Sequence, residues 1–509
     1  MKNIWKKLFV LGLSISLTFS TVTVYAEGVG ENVEQTIADT TEETIQEETE
    51  DAEKIEEESA VEPEVEEELS ANPQNSETVE ADEQKEVQQN AGEKSSIWRL
   101  SVGGVNLVSD YTVTGETYPG VSFDHVNNIL TLNNANIEME PVDSRTGDIE
   151  EIIYVANMSD SDAGLTINLE GNNYLSYTRD LNNNAFEFSS AVISLGCGDV
   201  VFSGDGGLNI KAAKGVDNGI LSNGGGGNLI IDGDVKINIT PSAVESPFGF
   251  AGVYINQGFT MKSGELNILG NVPGYVPGTF AGIYANPYSE AGINILGGKV
   301  NIQGPDCPST YTTQYGIDSQ RGDLKFKNTD VKIHLGKSMG TTFALLCGNY
   351  DESNNQLVIY PSKLIVEDSY IECRTKDQGN SYSAYFFDFG EKENLHFYVG
   401  ESVASREVSF DEAFEYGGHT ADVAKRYECS YKCFTISSNP VDIQVVPGDI
   451  NGDTIIDLAD LMLCLHHVSG SEVLDGDALL AADVDSDGEV NLTDLMRILH
   501  YVSGSSTEL

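Results

Sequence analysis

Two stretches near the end of the sequence carry the residue types best suited to chemistry: GDINGDTIIDLAD and ADVDSDGEVNLTD. Each places acidic or amide side chains at positions 1, 3, 5, 9 and 12 of a loop. In the first these are Asp449, Asn451, Asp453, Asp457 and Asp460; in the second, Asp483, Asp485, Asp487, Asn491 and Asp494. Hard oxygen donors at that spacing wrap Ca2+, and a backbone carbonyl at position 7, from Ile455 and Glu489, completes the shell. Two loops predict two Ca2+ ions. Gly452 and Gly488 supply the backbone freedom such tight loops use.

What positions the ligands is the segment behind each loop. Leu458, Leu461, Met462 and Leu465 recur at helical spacing, as do Leu492, Leu495, Met496 and Leu499. Gly470 and Gly504 stand where each helix is expected to stop. The copies begin at Asp449 and Asp483, so one loop–helix unit is duplicated. An ordinary EF-hand has a helix on both sides of the loop and Glu at position 12. Here position 12 is Asp, and the first loop follows the non-helical NPVDIQVVPGDI.

Residues 448–506 resemble a dockerin of the cellulosome type. The resemblance implies two loop–helix units packed as a pseudo-twofold pair that dock onto a cohesin module of a scaffold or cell-surface protein. It also implies recognition positions at loop positions 10 and 11 and late in the helix: Leu458, Ala459 and His466, with Leu492, Thr493 and His500. Leu at position 10 departs from the small hydroxyl pairs of the best-known dockerins, which leaves the cohesin class open.

The other end reads as a secretory signal over 1–26. Lys2, Lys6 and Lys7 precede an apolar run from Phe9 to Phe19, and Val24-Tyr25-Ala26 is a small-residue cleavage site. The apolar run is shorter than the ~20 residues a membrane span needs. A mature chain without a transmembrane segment is expected outside the cell, associated with a cell surface or cellulosome through the dockerin. Residues 27–95 hold about 25 acidic residues against 3 basic ones and predict a disordered, self-repelling linker. A cationic partner or loosely held Ca2+ is the alternative role for this arm. The net charge of −53 excludes nucleic acid as a partner, since no basic patch exists to neutralise phosphates. The seven cysteines have no framework spacing and read as buried thiols, with Cys429-x-x-x-Cys433 open as one bridge.

Between these lies a domain over 96–438, joined to the dockerin by a linker at 439–447. Glycines at 219, 252, 282 and 316 open similar phrases such as GVYINQGFTMKSGELNILG. Each phrase offers three short strands, with Asp232-Gly233-Asp234, Ser263-Gly264-Glu265, Gly297-Gly298-Lys299 and Asn328-Thr329-Asp330 as turns. Leu229, Ile231, Val235 and Ile237 are expected to face inward. Looser copies begin at Ala191 and in GLTINLEGNNYLSY and NNILTLNNANIEME. The fold class expected is mainly β: a right-handed parallel β-helix solenoid. A β-propeller or stacked sandwiches are the rivals. SIWRLSVGGVNLVSD, with Trp98, and the aromatic stretch after Cys373 are expected to cap the ends.

Such coils resemble pectin-active and uronide-active proteins and their non-catalytic carbohydrate-binding relatives, over about 190–340. That resemblance implies polysaccharide as a ligand, either cut by a polysaccharide lyase or glycoside hydrolase, or only bound. A polygalacturonase-type site combines Asn-Thr-Asp, Asp-Asp, Gly-His-Gly and Arg-x-Lys. Asn328-Thr329-Asp330 and Arg374-Thr375-Lys376 are present, but the sequence has no Asp-Asp and no Gly-His-Gly. A lyase-type site would gather Asp199, Asp205, Asp232 and Asp234 with Lys211, Lys214 or Lys236. A binding face would use Tyr254, Tyr284 and Tyr288, with Tyr275, Tyr311 and Tyr315 in longer inserts. No catalytic residue is assigned, and an adhesin or a plain spacer remains an alternative.

Overall fold

The computed structural model describes residues 91–506 apart from 141–150, 158–162, 179–190, 214–215, 223–226, 243–245, 273–276, 287–289, 291, 308–311, 352–357, 361, 377–380, 401–403, 405, 418–425, 430, 442–445, 452–454, 472, 475 and 486. The expected signal, most of the acidic arm, and Lys214, Tyr275, Tyr288, Tyr311, Gly452 and Asp453 lie outside the described residues.

Short runs with apolar residues at every second place form strands with one buried face. Leu165–Glu170, Val200–Gly204, Leu229–Ile231, Phe259–Met261, Ile293–Ile295 and Leu324–Lys327 pair in parallel, each with the next. Their inward residues fall in line: Leu165, Val200, Leu229, Phe259, Ile293 and Leu324 are all buried. The described strands make three long sheets of thirteen, ten and eleven strands, and the pairings within them are mostly parallel. From Ile153 to Phe389 the chain visits these sheets in that order again and again, returning to each after about 30 residues. Parallel pairing of successive units is not the antiparallel blade of a propeller.

Leu229, Ile231, Val235 and Ile237 are buried, as expected. The turn at Asn328-Thr329-Asp330 is tighter than expected. Asn328 takes φ 49° and alone makes the corner, while Thr329 and Asp330 already belong to the strand Thr329–Leu335. The winding also reaches further back than the glycine pattern, through Leu165–Glu170 and Asn172–Tyr177 to Ile129–Asn133 and Asn136–Met139.

The repeated glycines answer to space. A Cβ on Gly252 would lie 2.5 Å from Ile268 Cγ2 and 2.9 Å from the Gly282 carbonyl oxygen. On Gly282 it would lie 2.5 Å from the Gly316 carbonyl oxygen and 2.7 Å from Ile302. At each of these coils a core isoleucine from the eleven-stranded sheet and the backbone of the next coil close on the same point.

Strand sense changes toward both ends of the thirteen-stranded sheet and at one end of each of the other two, while Asp388–Phe389 and Asn136–Met139 end their sheets in parallel. Arg99–Val102 runs antiparallel to Ile153–Ala156, and Arg426–Cys429 antiparallel to Ser381–Phe386, at the two ends of the thirteen-stranded sheet. Val121–Asp124 and Cys433–Ser437 do the same in the other two sheets. Pairing begins before the boundary expected at 96, since Lys94 bridges Thr112. The aromatic stretch after Cys373 packs Phe386, Phe389, Phe397, Phe410 and Phe414 against one another. All seven cysteines are buried thiols, so the Cys429–Cys433 bridge is not formed.

The C-terminal residues have their own core of Ile450, Leu461, Cys464, Leu474, Ala481, Ala482, Val484, Leu495 and Ile498. It lies among the helices Leu458–Ser469, Gly476–Ala482 and Leu492–Val502. Corresponding positions of the two copies (Ile450 and Val484, Leu461 and Leu495, Cys464 and Ile498) all contribute.

Candidate functional site

Each loop is tied to its helix by the residues that end it. Asp457 and Asn491, at position 9, are the N-caps of their helices and accept from the Ala459 and Thr493 backbone N–H at 2.7 and 2.8 Å. Asp460 and Asp494, at position 12, are the third helical residues and complete a capping box. Both are fully buried. Asp460 accepts backbone N–H from Asn451 and Asp457, both at 2.9 Å. Asp494 accepts from Asp485 at 3.3 Å and Asn491 at 2.9 Å. One carboxylate thus ties position 3, position 9 and the first helical turn together.

In the second loop Asp483, Asp485 and Asp487 each offer one carboxylate oxygen, and these atoms lie within 4.8 Å of one another. Ca2+ takes oxygens at 2.3–2.6 Å, so atoms on opposite sides of one ion stand about 5 Å apart. The donor set therefore fits the ion. Asp483 also accepts from the Asp487 and Gly488 backbone N–H at 3.0 and 2.8 Å, which curls the loop around its own first ligand. The Glu489 carbonyl, at position 7, accepts from Asn491 Nδ2 at 3.2 Å. In the first loop Asp449 is buried, while Asp457 and Ile455 lie toward solvent. When bound, the ion would supply the positive charge that lets this many carboxylates share one loop, making the folded pair depend on metal.

Among the expected recognition residues Leu458, Ala459, Leu492, Thr493 and His500 are exposed, and His466 is half-buried. The copies therefore differ most at that histidine. Spacing alone missed the neighbours. Of the leucines and methionines on one helical period, only Leu461 and Leu495 enter the core. Leu458, Met462 and Leu465 are 63, 41 and 41% exposed; Leu492, Met496 and Leu499 are 63, 42 and 39%. These fall at i, i+4 and i+7 and line one outward stripe on each helix.

In the β region the lyase-type residues do not converge. Asp199 precedes its strand at one corner of the winding, whereas Asp205, Asp232 and Asp234 lie at the next corner. Asp199 accepts from the Asn228 backbone at 2.7 Å, and Asp232 pairs with Lys262 at 2.9 Å. Lys236 pairs with Glu265 at 2.8 Å, and Lys211 ends the strand Gly207–Lys211, at the end away from that corner. Arg374, of the Arg-x-Lys match, pairs with Glu372 at 2.7 Å. Glu372 also meets His334 Nε2 and the Tyr370 hydroxyl, both at 2.8 Å. Burial opposes its charge, but His334, Arg374 and Tyr370 outweigh it and hold the carboxyl at about 2. The folded value lies below the unfolded one, so this stabilisation is present above pH ~4.5 and is lost as pH falls toward 2. At about 3 kcal/mol, it should appear in urea titrations as a falling midpoint below pH 4.5 that Glu372→Gln flattens. Tyr254, Tyr284 and Tyr315 do come together, with ring centroids 5.5 and 6.2 Å apart along the row.

No curated protein and no solved structure matches the chain. A family model for the dockerin type I domain matches residues 447–503. Dockerin modules of this type typically bind calcium and occur in secreted cellulosome components, and none of the described helices is long and apolar enough to cross a membrane. Residues 447–503 are a dockerin type I domain, which supports cellulosome-type attachment of this chain to a cohesin.

Proposed function

We propose that this is a secreted, cohesin-bound component whose dockerin holds two Ca2+ ions and whose β domain binds polysaccharide. The observation behind the attachment is the pair of outward apolar stripes, each beginning one residue after the N-cap that a metal loop supplies. The ion, the cap and the docking face then form one cooperative unit. Met462, Leu465, Met496 and Leu499 join Leu458, Ala459, His466, Leu492, Thr493 and His500 as docking residues. With the full chain and a type I cohesin on a sensor surface, capture is expected at millimolar Ca2+. It should vanish on chelation or in Asp449→Ala with Asp483→Ala. Capture that persists in the double variant would sink this proposal.

We read the repeated passage through three sheets as a right-handed parallel β-helix over 96–438, preceded by a signal over 1–26 and an acidic linker over 27–95. Its ligand is inferred from the tyrosines that parallel pairing brings into one row, since ring faces beside amide and carboxyl groups suit sugars. Binding is preferred to cleavage because Asp199 lies at a different corner from Asp205, Asp232 and Asp234, and Asp232 and Lys236 are engaged by Lys262 and Glu265.

A further inference from the structure

On the outward face of the thirteen-stranded sheet, one register position holds Leu221, Tyr254, Tyr284, Asp318, Leu346 and Tyr385 in successive strands. A carboxyl stands where its neighbours carry a ring or an aliphatic chain. Asp318 is fully buried. Its Oδ2 accepts from Gln320 Nε2 at 3.1 Å, and the same nitrogen lies 3.3 Å from the Tyr284 hydroxyl. Its Oδ1 has no hydrogen-bond partner among the described residues. Around it the rings continue: Tyr315 stacks on Phe343 at 5.9 Å, and Phe343 meets Tyr385 edge-on at 5.9 Å. Tyr254, Tyr315 and Phe343 are half-buried, leaving part of the row open.

A buried carboxyl with an orphaned oxygen destabilises the fold, and the leucine one strand further on shows that the position accepts an apolar side chain. Such a group is kept where something outside the chain uses it. Burial pushes its pKa up to about 7, with Gln320 pulling the other way. In mildly acidic solution it is therefore neutral and offers both a donor and an acceptor. We propose that Asp318, with the rings of Tyr254, Tyr284, Tyr315 and Phe343, forms a subsite for a neutral sugar unit. Asp318 takes a hydroxyl, and the rings take the apolar face. A uronate would instead bring its charge to a neutral acid and aromatic rings, none of which carries a compensating cation. The inference rests on the polysaccharide reading above and narrows it to neutral chains.

Calorimetry on the full chain at pH 6, with xylohexaose, cellohexaose and hexagalacturonate, tests it. A neutral hexasaccharide should bind and hexagalacturonate should not. Tyr254→Ala and Asp318→Leu should each weaken binding at least about tenfold, while Asp318→Asn, which keeps both kinds of hydrogen-bonding group, stays within about threefold. Asp318→Leu should also raise Tm by about 2–4 °C, because the orphaned oxygen is gone. Binding of hexagalacturonate alone overturns the inference and leaves the polysaccharide reading standing. No binding by any of the three overturns both. Unchanged affinity in Asp318→Leu makes Asp318 a packing residue and also overturns the inference.

Discussion

Asp460→Ala combined with Asp494→Ala is expected to abolish cohesin capture at any Ca2+ concentration and to melt the three C-terminal helices. Each carboxylate accepts two backbone N–H groups and sits fully buried beneath its loop. Alanine leaves four donors without acceptors, at about 1–3 kcal/mol each, and removes the reciprocal half of both capping boxes. A domain this small holds only a few kcal/mol in reserve. The loss in apparent affinity should therefore reach 10³-fold or more, roughly 4 kcal/mol. Asp449→Ala with Asp483→Ala weakens the metal site but spares the caps, so some helix should survive there in circular dichroism. If both double variants kept equal helix content, position 12 would be only a metal ligand.

Gly282→Ala should be a strongly damaging methyl addition in the β domain. Its Cβ would press on the Gly316 carbonyl oxygen and on Ile302, and neither retreats easily, since one is backbone within a strand and the other is fully buried. Overpacking of this kind costs about 3 kcal/mol. Gly252→Ala adds the same clash one coil away, so the pair should fail to fold at 37 °C. Gly488→Ala makes a useful contrast: nothing lies within 4 Å of its Cβ, and its cost comes only from φ +89°. A thermal melt of Gly282→Ala within 2 °C of the parent, where about 3 kcal/mol predicts 6 °C or more, would show that the coils slide apart to make room.

The metal loops were legible in the sequence because their ligand spacing is local: every donor sits within twelve residues of the first. Parallel coils were most legible where glycine marked them. The same place in neighbouring coils holds Ile152, Val192 and Ala344, which are buried without any glycine. The earlier coils, GLTINLEGNNYLSY and NNILTLNNANIEME, were therefore legible from alternating apolar residues rather than from glycine. Of the exposed stripe only Leu458 and Leu492 were legible, through the resemblance; 462 and 465 share the helical period with 461, and periodicity does not say which face is left exposed. Asp318 was hidden for another reason. Its oddity exists only relative to Tyr284 and Leu346, some thirty residues to either side in sequence, and register is a property of the folded sheet.

The reversal of strand sense at the sheet ends bears on stoichiometry. A stack of parallel coils is a template for its own continuation: another molecule's first coil could hydrogen-bond to the last and build a fibre. Here Arg99–Val102 and Arg426–Cys429 close the parallel stack with the opposite polarity, and their outer sides are already paired by Val105–Ser109 and Glu415–Gly417, so an arriving coil finds no parallel edge of that stack open. Head-to-tail growth is thereby discouraged on the largest sheet. On the proposed docking, a scaffold loaded with these proteins would carry one copy per cohesin.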